Sequence, residues 1–315
     1  MSVTGASVGG SITLQEPLRA VFYAPFYAAL SRGAYADEGV DIRLFSAARP
    51  ADAARGFFDG SVDVGWGGPM RVMETYHLRA DCDLVCFAEV VTRDPFLLIG
   101  RAPKPGFTVA DLIGPRVGTV SEVPTPWLCL QEDLRRAGID PTHVDRVTDR
   151  TMAQNADALR AGRLDAAQLF EPYATALLDE GVGHLWYAAA DRGPTSYTTL
   201  YARRDTLRSR REELRRMVRA LHRAQRWIAS ANGEEIAAAI ARYFPAVPPE
   251  RLARACERYK SLGIWGRDPV LPREGYERLR AGLESGGLVD RGAPFEQAVD
   301  NTLAREILAE TPPTA

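Results

Sequence analysis

What most constrains this chain is a plan laid down twice, about a hundred residues apart. Pro25 and Pro124 stand 99 positions apart, as do Gly39-Val-Asp41 and Gly138-Ile-Asp140. Gly60 and Asp63 return 102 positions later as Gly162 and Asp165, and each copy then reaches a proline, Pro69 and Pro172. Between these landmarks, short apolar runs alternate with helix-period segments closed by glycine. In the first copy, 18–22, 40–45 and 62–65 read as strands, with helices opening at Pro25, covering 51–58 and opening at Pro69. In the second, 116–120, 144–147 and 164–170 read as strands, with helices from Pro124 to Gly138, over 151–160 and from Pro172. Proline suits a first helical turn and glycine a helix end. Strands alternating with helices build parallel sheets covered by helices. The expected fold class is therefore α/β: two lobes, each with a parallel-rich sheet flanked by helices, and a helical C-terminal region.

Two apolar runs, 94–100 and 197–201, are placed to cross between the lobes. Lying side by side, they would form a hinge that opens and closes around a ligand. Arg93 and Asp94 would then face the cleft or form a hinge ion pair. The first lobe becomes discontinuous, 16–95 plus 202–310, with 96–201 as the second lobe. Residues 1–15 and 311–315 read as loose tails. From 204 on the pattern is helical. The helix over 211–228 carries Leu214, Met217, Val218, Leu221 and Ile228 on one stripe, and further helices fit 234–243, 249–262 and 272–285. The arginines at 203, 204, 208, 210, 211, 215, 216, 219, 223 and 226 form a dense run. It reads either as a nucleic-acid face or as a solvated helix face with Glu212 and Glu213 as partners. A net charge of −2 and the lack of a binding module favour the second, so no nucleic-acid partner is expected.

Composition removes other classes. With 315 residues, 46% apolar and 25% charged, the chain has a globular make-up and the length of about two domains. No apolar run approaches the ~20 residues of a membrane span, so contact with a membrane is peripheral at most. The opening Met1-Ser-Val-Thr-Gly-Ala-Ser-Val-Gly-Gly10 has no basic region followed by an apolar one. The expected location is cytoplasmic as the sequence is written, and periplasmic if a leader has been removed. Cys82, Cys86, Cys129 and Cys256 show no zinc-ligand spacing and read as core residues. Lys104 and Lys260 are the only lysines, and His77, His143, His184 and His222 lack metal spacing. No Gly-x-Ser-x-Gly elbow stands between a strand and a helix, the one match, Gly5-Ala-Ser-Val-Gly9, falling in the Gly/Ser-rich opening stretch, and no Gly-x-x-x-x-Gly-Lys loop occurs. In Gly65-Trp-Gly-Gly-Pro-Met70 the third glycine of a dinucleotide loop is replaced by Met70, and Trp66 would crowd a pyrophosphate. No catalytic residue, cofactor or metal is expected.

In open α/β sheets, ligands sit beyond the carboxyl ends of the strands. Four such corners combine aromatics with proline: Phe22-Tyr-Ala-Pro-Phe-Tyr27, Gly65-Trp-Gly-Gly-Pro-Met70, Ser121-Glu-Val-Pro-Thr-Pro-Trp127 and Phe170-Glu-Pro-Tyr173. Loops normally carry polar turn residues, so aromatics at all four suit a cleft closing on a flat apolar group. The alternative is that they plug the lobe interface. Glu122 and Glu171 would accept hydrogen bonds from ligand N–H groups, or cap helix starts.

At these corners the chain resembles the substrate-binding proteins of ABC importers for nitrate, sulfonates, taurine and thiamine-pyrimidine precursors. The resemblance covers about 16–240. It is carried by Ala24-Pro-Phe-Tyr-Ala-Ala-Leu30, Gly33-Ala-Tyr-Ala-Asp-Glu-Gly-Val-Asp41, the run from Gly60 to Pro69, Asp111-Leu-Ile-Gly-Pro-Arg-Val-Gly118 and the run from Leu159 to Pro172. It implies the type II periplasmic-binding-protein fold, with a ligand held between two lobes at the corners named above, and the family's ligand contacts map onto Phe22, Tyr23, Tyr27, Trp66, Glu122, Trp127, Glu171 and Tyr173 as the candidate ligand residues. It also implies a small-molecule ligand and an ABC permease as partner. A pyrimidine-type compound with an amine or ring N–H toward Glu122 or Glu171 is the first expectation, an aryl or alkyl sulfonate the second. The family includes pyrimidine-synthesising enzymes with a lysine-bound pyridoxal phosphate, a histidine and a cysteine-rich motif. Here both lysines lie off the corners and no cysteine cluster exists. Other enzymes of the fold place a cysteine at the first corner, where this chain has Ala24 and Pro25. The expected function is thus non-catalytic capture. A cytoplasmic enzyme acting on a pyrimidine or sulfur compound is the alternative, and a cytoplasmic ligand-sensing module a third reading.

Overall fold

The computed structural model describes residues 11–310. Ten strands are present among them: β1 (Ile12–Glu16), β2 (Ile42–Ser46), β3 (Val64–Gly67), β4 (Leu84–Val91), β5 (Leu97–Gly100), β6 (Arg116–Val120), β7 (Asp145–Arg150), β8 (Ala166–Leu169), β9 (His184–Ala188) and β10 (Thr198–Arg203). They form two five-stranded sheets, ordered β2-β1-β3-β10-β4 and β7-β6-β8-β5-β9. β1 runs parallel to β2 and β3, and β6 parallel to β7 and β8. In each sheet the fourth strand is antiparallel to both neighbours. That fourth strand has just crossed from the other sheet: β5 follows β4, and β10 follows β9. The repeat read from prolines and glycines is therefore a repeat of sheet topology, with one strand exchanged in each direction.

The hinge differs in detail from expectation. β5 and β10 lie in different sheets and do not pair. Their approach segments do: the N–H of Ala189 donates to Phe96 O at 2.9 Å, that of Thr195 to Thr92 O at 2.8 Å and that of Tyr197 to Val91 O at 2.9 Å. Asp94 takes the hinge role foreseen for it. It is wholly buried and accepts from Arg192 Nη1 at 2.8 Å, and Arg192 also holds Asp133 at 2.6 Å.

Residues 18–22 do not form a strand. A single 3₁₀ turn, Val21–Tyr23, leads into the helix Ala24–Ser31, and the first strand is β1. Residues 12–15, expected in a loose tail, are thus part of a sheet; 1–10 and 311–315 lie outside the described residues. The helix Arg211–Ser230 buries the stripe expected of it. Its arginines meet acids from several segments: Arg211 pairs with Glu306, Arg219 with Glu38 and Glu310, and Arg223 with Asp37. The helix Arg273–Ser285, expected with the first lobe, packs on both halves. Its Gly275 carbonyl accepts the Ser196 N–H at 3.0 Å. Tyr276, Leu279 and Leu283 share an apolar cluster with Leu128 and Cys129 of the helix Thr125–Arg136.

β4 is buried along its whole length and carries one acid, Glu89. Glu89 Oε1 accepts the Ser196 hydroxyl at 2.5 Å, and Oε2 is buried without a partner. Burial pushes this carboxyl up to about 8 from an ordinary 4.5, aided by nearby Asp268 and opposed by Ser196. A carboxyl held more tightly protonated when folded stabilises the fold at acid pH, and that contribution is lost as pH rises from about 4.5 through 8. The melting temperature should therefore fall between about pH 5 and pH 8.5. Glu89→Gln, which keeps the shape and cannot ionise, should flatten that fall. Equal slopes for the two proteins would rule Glu89 out as its source.

Candidate functional site

A cavity opens at the carboxyl ends of β1, β2, β3 and β6, where both sheets face each other. One wall is a box of four aromatics. Phe22 and Phe170 meet edge-to-face at 5.3 Å, Phe96 and Phe170 at 5.3 Å, and Phe22 and Tyr197 at 6.0 Å. Phe22 belongs to the first half, Phe170 to the second, and Phe96 and Tyr197 to the crossing segments. The enclosed space is about 50 Å³. A water needs roughly 10–15 Å³ on this measure, so the halves stand nearly shut.

The polar end is different in character. Arg71 is the only charged residue among those lining the cavity. It sits in the first turn of the helix Pro69–Leu78, its side chain 11% exposed, with Nη1 bound to Glu74. A guanidinium has five N–H donors, so donors remain for a second acceptor. Gly68 caps that helix without a side-chain hydrogen bond, and Pro124 caps Thr125–Arg136 in the same way. Gly67, Gly68, Met70 and Thr125 bring both helix N-termini to the cavity. Uncapped N-termini present N–H groups and partial positive charge.

Tyr23 and Tyr201 also line this end. Burial pushes both phenols well above their ordinary range, with Arg71 pulling each back in part, so both are neutral donors. Tyr201 lies flat against β3 because Gly65 and Gly67 leave it room. A Cβ on Gly65 would stand 2.9 Å from Tyr201 Cζ, and one on Gly67 3.2 Å from Cε1. The glycines that resemble part of a dinucleotide loop thus make space for a tyrosine. Tyr197, 8% exposed, carries a buried hydroxyl with no partner.

Of the eight residues expected to touch a ligand, Phe22 and Tyr23 line this cavity. Side chains alternate along a strand, so Trp66 points away from the Gly65 and Gly67 face. It is wholly buried, stacked on Phe26 at 4.5 Å and edge-on to Tyr27 at 5.5 Å. The Tyr27 hydroxyl is committed to Glu16 at 2.5 Å. Trp127 packs in an apolar cluster of the second half beneath the Arg146 guanidinium, 4.4 Å from its ring centre. Glu122 Oε1 accepts the Met152 N–H at 2.9 Å, at the start of the helix Met152–Arg160. Glu171, wholly buried, accepts from Arg258 Nε and from the Thr175 N–H, each at 2.9 Å. Tyr173 is half-buried and lines a separate space beside Val247 and Arg251. Neither glutamate is among the residues that line the cavity.

Arg71, Phe96, Phe170, Tyr197 and Tyr201 are among the lining residues that sequence reasoning did not single out as contacts. Neither lysine, no cysteine and no histidine lines the cavity. Burial pushes Cys86 and Cys129 up to about 12, which leaves both as thiols. No group of three or more metal-binding side chains exists among the described residues.

The family model described as NMT1/THI5 like matches residues 22–234. The chain belongs to the NMT1/THI5-like family. Within reach of this NMT1/THI5-like chain is YtlA of Bacillus subtilis (strain 168), which carries the name of a binding protein. The two are 24% identical over 301 residues, 95% of this chain and 90% of YtlA. Among solved structures, the periplasmic aliphatic sulphonate binding protein SsuA from Escherichia coli is 19% identical with a TM-score of 0.75, over 92% of this chain and 97% of SsuA. A variant of the desulfurization enzyme DSZB in complex with biphenyl-2-sulfinic acid is 15% identical with a TM-score of 0.68, over 96% and 99%. The NMT1/THI5-like chain therefore has the two-lobed type II periplasmic-binding-protein fold. No helix among its described residues is long and apolar enough to cross a membrane.

Proposed function

We propose that this chain is a solute-binding protein that captures a small organic anion, a sulfonate or carboxylate with an apolar body, between its lobes for ABC import. The observation that carries this reading is Arg71, the one charged side chain on a cavity otherwise walled by aromatics and two helix N-termini. The anionic head would sit at Arg71, Gly68 and Thr125, and the body against Phe22, Phe96 and Phe170. The unpartnered Tyr197 hydroxyl offers a further hydrogen bond. An anion replaces the amine-bearing pyrimidine as first choice because Glu122 and Glu171 point elsewhere. The name of SsuA supports a sulfonate, and a periplasmic site of action with a permease as partner goes with it.

The enzyme reading has DSZB in its favour as a protein of the same fold. Against it, no cysteine, histidine, lysine or carboxylate lines the cavity to act as nucleophile or base.

A thermal-shift and native mass-spectrometry screen of alkyl and aryl sulfonates, aryl carboxylates and aminopyrimidines tests both. A ligand at 100 times its dissociation constant stabilises by about 2.7 kcal/mol. A stabilising anion that comes off chemically unchanged is the expected result. Stabilisation by the aminopyrimidines alone would overturn the choice of ligand, and recovery of an altered compound would overturn the binding role.

A further inference from the structure

The helix Pro249–Ser261 turns two different faces to its surroundings. Leu252, Ala255, Cys256 and Tyr259 are buried. Arg251, Arg254 and Arg258 follow at spacings of three and four, which places them on one side. The helix is fixed to the first half: it packs along the helix Gly233–Ile240, and Glu257 accepts the Gly233 N–H at 2.8 Å. Its arginines reach the other half. Arg258 Nε donates to Glu171 at 2.9 Å. Arg254 takes Asp179 with two N–H groups, at 2.6 and 3.0 Å. Arg251 lies 3.4 Å from Asp179 and 3.9 Å from Glu180. The Tyr259 hydroxyl accepts the Glu171 N–H at 2.8 Å.

We infer that this helix is a latch that holds the two lobes shut, with Arg251, Arg254, Arg258 and Tyr259 gripping residues 171–180. Glu171 directly follows Phe170 of the cavity wall. Tyr259 in turn meets Trp265 edge-to-face at 6.0 Å, and Trp265 Nε1 donates to the Phe22 carbonyl at 2.9 Å. The latch thus fixes the two aromatics that meet across the cleft, without touching what lies between them. Its residues are positioning residues, and opening the lobes must break every one of these contacts. The inference rests on the binding role proposed above only for its effect on affinity; the closure itself is independent of any ligand.

The test uses Arg251→Gln with Arg254→Gln, two partly exposed changes that leave the pair of Arg258 with the buried Glu171 intact. Small-angle scattering without ligand should give a larger radius of gyration for the double variant than for the parent. The parent should expand toward the variant in 1 M salt, where charges are screened within about 3 Å, and the variant should respond less. With a sulfonate bound, the dissociation rate should rise about tenfold at an unchanged association rate, because a smaller closed fraction weakens apparent affinity in proportion. Identical scattering curves for parent and variant at both salt concentrations would overturn the latch. A failure of every screened anion to bind would count against the ligand assignment alone, since the scattering comparison needs none.

Discussion

Arg71→Met should lower the affinity for a bound sulfonate or carboxylate by roughly 10- to 150-fold, the loss expected when a hydrogen bond to a charged group worth about 1.5–3 kcal/mol is deleted. Methionine keeps much of the apolar stem, so the cavity wall is preserved while the guanidinium goes. Folding should suffer little. The bond given up is an i,i+3 pair with Glu74 on one helix, worth a few tenths of a kcal/mol. Arg71→Lys separates charge from geometry: it keeps the cation and loses the planar fork, and should recover only part of the affinity. Calorimetric titration of the three proteins is the measurement. Affinity within threefold of the parent in Arg71→Met would remove the anion site from this cavity.

The second large effect is on stability. Trp66→Ala should cost about 3–5 kcal/mol, as emptying a packed aromatic site does. Trp66 is 0% exposed and touches Tyr23, Phe26 and Tyr27. The urea midpoint should fall accordingly, and any loss of ligand binding should follow the loss of fold. Trp66→Phe supplies the control. It keeps a ring against Phe26 and removes an indole N–H that is buried with no partner, so most of the stability should remain. An alanine variant with the parent's midpoint and no ligand binding would put Trp66 in the site after all.

These two residues show what the amino-acid sequence discloses and what it hides. The doubled α/β plan was legible because it rests on local signals: Gly60 and Gly162 both end helices at positive φ, and Thr151 caps its helix as its position before a helix-period run implies. Strand β1 was hidden because Ile12-Thr-Leu-Gln-Glu16 adjoins a Gly/Ser-rich stretch, while 18–22 has strand-like composition yet turns into a helix. β4 carries no alternation to read, since both its faces are buried. At the candidate site, Phe22, Tyr23 and Gly68 line the cavity and belong to corners that the strand-to-helix pattern names. Which member of a corner faces the cleft is a matter of one residue's shift in phase, and that depends on strand ends that moved by two positions. β3 runs to Gly67 rather than Gly65, and Trp66 is thereby inside the sheet. Arg71 gave no signal because all but two of the 39 basic residues are arginine.

The exchange of β5 and β10 between the sheets also fixes an order of assembly during synthesis. The second sheet has all its strands once residue 188 has left the ribosome. The first lacks β10, which lies between β3 and β4, until residue 203 has followed. Its helical cover comes later still, with the helix Thr302–Glu310 among the last described residues. Domains generally fold from the N-terminus as they emerge. Here the half that begins the chain is the half completed last, and the nascent first sheet must wait with β3 and β4 unjoined while a whole second lobe is built.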